Sequence, residues 1–148
     1  MESAELIRKV EDQCRERGWR LTPVRRRVLE LVARANGPVK AYDLLDQLKA
    51  THPGAAPPTV YRALEFLLEH DFIHRLETMN AFVSCYHPQH SHHSQFLICE
   101  SCESVTELPE SQMFEGLGEA ARAQGFEPHR QVVEIYGLCG DCRGNGRG

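Results

Sequence analysis

The chain has 148 residues, 41% of them hydrophobic and 26% charged, with a formal net charge of −4. That is the make-up of a soluble globular chain of one ordinary domain or two small ones, and no apolar run reaches the roughly 18–20 residues of a membrane helix. The opening "MESAELIRKVEDQC" has the charged pattern of a helix rather than the apolar centre of a secretory signal, so a cytoplasmic location with reduced thiols is expected.

Residues 4–17 place Leu6, Ile7, Val10 and Cys14 at helical spacing, which makes Cys14 a core residue of that face. Residues 15–27, "RERGWRLTPVRRR", hold six arginines and one glutamate, a local +5 on an acidic protein. Such a patch is read either as a nucleic-acid footprint or as a solvated arginine-rich turn. Thr22-Pro23 is a helix start, an N-cap hydroxyl followed by proline at the first helical position. This helix is expected to run to about Arg34, with Val24, Val28, Leu31 and Val32 inward. A third helix is expected over 41–51 and a fourth over 59–70, "TVYRALEFLLEH". Val60, Leu64, Leu67 and Leu68 share one face of the fourth, with Arg62, Glu65 and Glu69 opposite and Tyr61 at the border.

After it, "FIHRLETMNAFVSCY" alternates in two short runs around "TMN", the pattern of a two-stranded hairpin. Helices closing on a β-hairpin describe a winged helix-turn-helix, whose last helix enters the major groove. Arg62 suits guanine and Tyr61 a thymine methyl or a phosphate. The alternative is a plain helical bundle with a surface Tyr-Arg pair.

The second half reads β-β-α-β: "SQFLICE", "SVTEL", a helix over 110–125 with Met113, Leu117 and Ala120–Ala121 as its apolar face, and "RQVVEIYGLC". It has few large apolar residues, so dimerisation or a metal is needed to help hold it together. Cys99-x-x-Cys102 follows one strand and Cys139-x-x-Cys142 the last. Two such turns on neighbouring strands bring four thiolates to the tetrahedron of a closed structural zinc site. A thioredoxin-like pair would open a helix, and a deaminase would need H-x-E followed by P-C-x-x-C, which is absent. Redox-labile disulfides remain the other reading. Within "CYHPQHSHHSQFLICESC", residues 85–102, this leaves Cys85, His87, His90, His92 and His93 unassigned.

Several motifs, "RLTPVRRRVLELV", "AYDLLDQL", "PPTVYRALEFLLE", "FIHRLE", "FLICESCESVTE" and "IYGLCGDC", occur in an order and spacing that resembles the ferric uptake regulator (Fur) family of bacterial metal-sensing repressors. The resemblance spans about residues 5–142. It implies an α+β fold: a winged helix-turn-helix domain over 1–80, a hinge over 81–90 and a small metal-binding dimerisation domain over 91–148. It implies structural zinc on Cys99, Cys102, Cys139 and Cys142, and a sensing zinc at the hinge on His74, Cys85, His92 and Glu107, about two ions per chain. Iron sensors tend to carry a carboxylate where this chain has Cys85, and a thiolate in an N₂OS set favours zinc.

Some members have a further metal site near this loop, which here would draw on His90, His93 and His129. "HPQHSHHSQF" has no aspartate, so a solvated histidine loop, including His87, is the preferred account.

The function implied is a zinc-responsive repressor, not an enzyme, binding operator DNA as a homodimer and controlling zinc-uptake genes. Thr59, Tyr61 and Arg62, with Arg15, Arg17, Arg20 and Arg25, are the DNA-contacting candidates. The alternatives are a family member sensing another metal or peroxide and, remotely, a zinc hydrolase, for which no H-E-x-x-H or comparable set is present.

Overall fold

The computed structural model describes residues 3–35, 37–77, 79–84, 93–108, 112–129 and 131–144. It divides into two units, residues 1–88 and 89–148.

The first unit opens with α1 (Ser3–Arg17), whose buried residues are Leu6, Ile7, Val10 and Cys14, the expected stripe. Gly18, at φ +72°, takes the left-handed position that ends a helix without a Cβ penalty. Burial raises the Cys14 thiol pKa, only partly opposed by Arg25, so this cysteine is an inert core group. In α2 (Pro23–Arg34) the Thr22 hydroxyl accepts from the Arg25 N–H at 3.3 Å, and Pro23 occupies the first turn, where no N–H is required.

Helix α3 (Ala41–Leu48) buries Leu44 and Leu48. Helix α4 spans Pro57–Glu69, two residues earlier than the expected start at Thr59. Pro57 and Pro58 fill the first two positions, and the Thr59 hydroxyl accepts from the Ala56 N–H at 3.3 Å. Val60, Leu64 and Leu67 are buried on α4. Each stabilises the fold by about 1.5–3 kcal/mol relative to an exposed position.

Strands β1 (Ile73–Leu76) and β2 (Ala81–Ser84) form the expected antiparallel hairpin, with His74 opposite Val83. Asn80 turns at φ 48°, a conformation its short polar side chain tolerates. Val39 and Phe82 exchange backbone hydrogen bonds at 3.0 and 2.8 Å, which pins the hairpin to the segment between α2 and α3.

The second unit is a three-stranded sheet, order β4-β3-β5, from β3 (His93–Cys99), β4 (Val105–Leu108) and β5 (Gln131–Gly137). β3 and β4 are antiparallel, whereas β3 and β5 are parallel and need a crossover, which α5 (Met113–Ala123) supplies. The face of α5 differs from the expected one. Phe114 and Gly118 are buried, while Met113 and Leu117 stand 44% and 48% exposed. The aromatic ring one position along takes the core site, and Gly118 gives room beside the Gln131 amide, which donates to the Phe114 carbonyl at 2.8 Å. A short helix, α6 (Gly140–Gly144), which the sequence pattern did not announce, closes the described chain.

Candidate metal centre and nucleic-acid interface

The cysteine turns are built by the ends of β3 and β5. After Cys99, the Glu103 N–H bonds the Cys99 carbonyl at 2.9 Å and the Cys99 N–H bonds the Ser104 carbonyl at 3.0 Å, with Glu103 at φ 62°. This tight turn brings Cys102 back beside Cys99. The Glu100 N–H reaches the Gly137 carbonyl at 2.8 Å and ties the turn to the end of β5. Cys139 immediately precedes α6 and Cys142 lies within its first turn, where the Arg143 N–H bonds the Cys139 carbonyl at 2.9 Å.

All four sulfurs lie within 4.8 Å of one another, and Cys102 Sγ is 3.8 Å from Cys139 Sγ. A zinc–sulfur bond of about 2.3 Å gives a tetrahedron edge of about 3.8 Å, so the donor set fits zinc in number, chemistry and spacing.

The surroundings favour thiolate at two corners. The Cys102 and Cys139 backbone N–H groups hold the Cys99 pKa down to about 6, the latter at 3.4 Å from its sulfur. Hydrogen bonds from the Ser104 side chain and backbone lower the Cys102 pKa. At Cys142 the Ser101 hydroxyl also favours the thiolate. It is outweighed by hydrogen bonds to Cys139, by burial and by Cys99 and Cys102, and the pKa is pushed up to about 12. Among the described residues this is the group of metal-ligating side chains that converges. Ser101 and Ser104 were not singled out from the sequence, although both stand inside or beside the first C-x-x-C turn.

The second expected ligand set is distributed differently. His74 is the second residue of β1 and is buried. Glu107 lies on β4 opposite Phe96 and is half-buried. Cys85 and His92 lie outside the described residues, as do His87 and His90. His93 begins β3, and His129 is exposed beyond α5.

On the DNA side, Tyr61 is 54% exposed at the border of the Val60, Leu64 and Leu67 face of α4, and Arg62 is exposed on the side opposite that face. Thr59 stands in the first turn, where its hydroxyl is already engaged as a cap. Arg15 pairs with Asp12 at 3.1 Å and Arg17 lies 5.6 Å from the Trp19 ring centroid. Arg25 donates to the Arg20 carbonyl at 2.6 Å and stacks 4.1 Å from the Phe66 ring centroid, so it is carried by α4 as well as α2.

Four helices, a β-hairpin and a separate unit with a four-thiolate cluster define a winged-helix regulator with a metal-binding second domain. The ferric uptake regulator family profile matches residues 16–136, and the chain belongs to that family. It is 42% identical over 139 residues, 93% of this chain and 81% of its relative, to the zinc uptake regulation protein of Escherichia coli K12. The structure of a zinc uptake regulator complexed with zinc and DNA superposes with a TM-score of 0.91 at 39% identity, covering 99% of this chain and 98% of that one. Holo XcZur gives a TM-score of 0.86 at 48% identity, covering 95% of this chain and 98% of that one. The chain is thus a transcription regulator and not an enzyme.

Proposed function

We infer that this chain is a zinc-responsive repressor that binds operator DNA as a dimer when zinc-loaded and controls zinc-uptake genes. The observation that carries this reading is the 42% identity to a zinc uptake regulation protein over 93% of the chain. The four-cysteine cluster is consistent with it. A cytoplasmic location follows from the function, and no described helix is long and apolar enough to cross a membrane.

Two zinc ions per chain are proposed, with different duties. Cys99, Cys102, Cys139 and Cys142 hold the structural one. His74, Cys85, His92 and Glu107 hold the regulatory one. The bound metal supplies a fixed charge that draws these donors to one point. Here the donors come from a wing strand, from the hinge and from the dimerisation sheet, so their engagement orders the DNA-binding helices relative to the dimer. A coupling of about 1–3 kcal/mol between zinc and DNA is expected of such linkage. Cys85 must be a thiolate and His74 and His92 neutral to act as ligands, so zinc sensing weakens as pH falls toward 6.

Support for dimerisation comes from the second unit. Leu97, Ile135 and Leu138 are exposed, and Leu97 pairs with Ile135 across the sheet. An apolar strip on a small sheet is an expected self-association surface. On DNA, Tyr61 and Arg62 are proposed to contact bases, with Thr59 at the start of the same helix, and Arg15, Arg17, Arg20 and Arg25 are the candidates from which phosphate contacts are drawn.

Purified protein tests the choice of metal. Zinc is expected to promote binding to a duplex selected from a random pool, measured by anisotropy, at free concentrations where Fe²⁺ and Mn²⁺ do not. Equal response to Fe²⁺, or loss of binding on peroxide treatment of an iron-loaded form, favours the family's other sensors. Arg62→Ala is expected to cost about 1–3 kcal/mol on the selected duplex and little on a scrambled one. Unchanged preference would overturn the recognition-helix assignment.

A further inference from the structure

Glu30 is a buried carboxylate that neither zinc binding nor base reading uses. Arg26 Nη1 donates to its Oε1, Arg27 Nη1 lies 3.1 Å from its Oε2, and Arg34 Nη1 lies 3.9 Å from the same oxygen. These residues stand four and three positions before Glu30 and four after it, so they share one face of α2. From α1, Glu11 adds a second acid, 3.4 Å from Arg26 Nε.

The Glu30 side chain is 11% exposed, and the loss of water around so buried a carboxylate is offset by opposite charge close by. Three guanidinium groups supply that charge and are held by it in turn. Arg25, the preceding residue, turns away toward the Arg20 carbonyl and Phe66 of α4. The three consecutive arginines therefore divide. One serves the recognition helix, and two close over Glu30.

We propose that Glu30 is a specificity-determining residue: it holds Arg26, Arg27 and Arg34 off the DNA backbone and so limits sequence-independent affinity. The proposal rests on the DNA-binding reading above. Phosphate contacts carry no sequence information, and each adds about 0.9 to the slope of log affinity against log salt. Three freed arginines would strengthen binding to any duplex and compress the preference for the operator.

The test uses the zinc-loaded full chain, a duplex selected from a random pool, and a scrambled duplex, each titrated from low to high salt. Arg26→Ala and Arg27→Ala are expected to move the wild-type slope by much less than about 0.9. Glu30→Gln is expected to steepen the slope on the scrambled duplex by at least about 0.9 and to narrow the preference for the selected one. Adding Arg26→Gln and Arg27→Gln to Glu30→Gln should return the slope toward wild type, which a purely structural Glu30 would not do.

The proposal is overturned if Arg26→Ala or Arg27→Ala flattens the slope by a full contact, or if a folded Glu30→Gln leaves slope and preference unchanged. Should Glu30→Gln not fold, the two arginine variants decide alone. Wild type with no preference for the selected duplex at any zinc level overturns the DNA-binding reading itself, and this inference with it.

Discussion

Replacing Cys139 by Ser is expected to remove one zinc ion per chain and to abolish the cooperative unfolding transition of residues 89–148. The second unit has little else to hold it. Among its described residues the buried hydrophobic side chains are Phe96, Ile98, Cys99, Phe114 and Cys142, two of which are themselves members of the sulfur cluster. A unit of this size without a larger core is marginal unless a metal or partner stabilises it. Zinc on four thiolates binds with an apparent free energy of about 10–16 kcal/mol near neutral pH, comparable to the whole stability of an ordinary domain.

Metal analysis together with thermal circular dichroism checks the result. Retention of both zinc and the wild-type transition in the variant would sink the structural-zinc assignment. In the metal-free cluster the backbone N–H groups of Cys102 and Cys139 lower the Cys99 pKa to about 6. At Cys142 the Ser101 hydroxyl is outweighed by hydrogen bonding to Cys139 and by burial, which raise the pKa to about 12, so the four sulfurs together still hold a proton at neutral pH. Occupying the site must displace that proton, so affinity rises with pH and falls with acid, and zinc uptake should release protons in weakly buffered solution.

Cys85→Ser is expected to flatten the zinc response while leaving the structural ion in place. A hydroxyl is a much poorer zinc ligand than a thiolate, and losing one of four donors should cost more than the 10–100-fold typical of outer-shell changes. Operator binding of wild type and Cys85→Ser across buffered free zinc gives the comparison, with metal content measured in parallel. A right-shift of at least about a hundredfold is expected, with one zinc per chain retained. An unchanged titration would remove Cys85 from the regulatory set and would leave the four-cysteine site untouched. The two variants therefore separate the two duties assigned to zinc.

Much of this was legible in the residues because it depends on local periodicity and on ligand type. The stripe Leu6, Ile7, Val10, Cys14 and the Thr22-Pro23 cap are local devices, and both are observed as expected. The two C-x-x-C pairs announce a four-thiolate set by spacing alone, and the sulfurs converge. The α5 face was misread because Met113 and Leu117 satisfy the helical period as well as Phe114 and Gly118 do. Only packing against the sheet chooses between adjacent stripes, and it chose the large ring and the small residue.

The arginine-rich stretch marks the division most clearly. Its composition by itself determined that residues 15–27 carry a local excess of positive charge, and the motif order determined the family. What each arginine does was decided by tertiary structure. Arg25 faces Phe66 and the Arg20 carbonyl, while Arg26 and Arg27 close over Glu30 and Arg26 also meets Glu11. Charge is additive along a sequence, whereas its availability to a partner depends on direction and on nearby countercharge. The pairs with Glu30 lie within α2, but the burial of that carboxylate and the Arg25–Phe66 and Arg26–Glu11 contacts arise only when α1, α2 and α4 pack together.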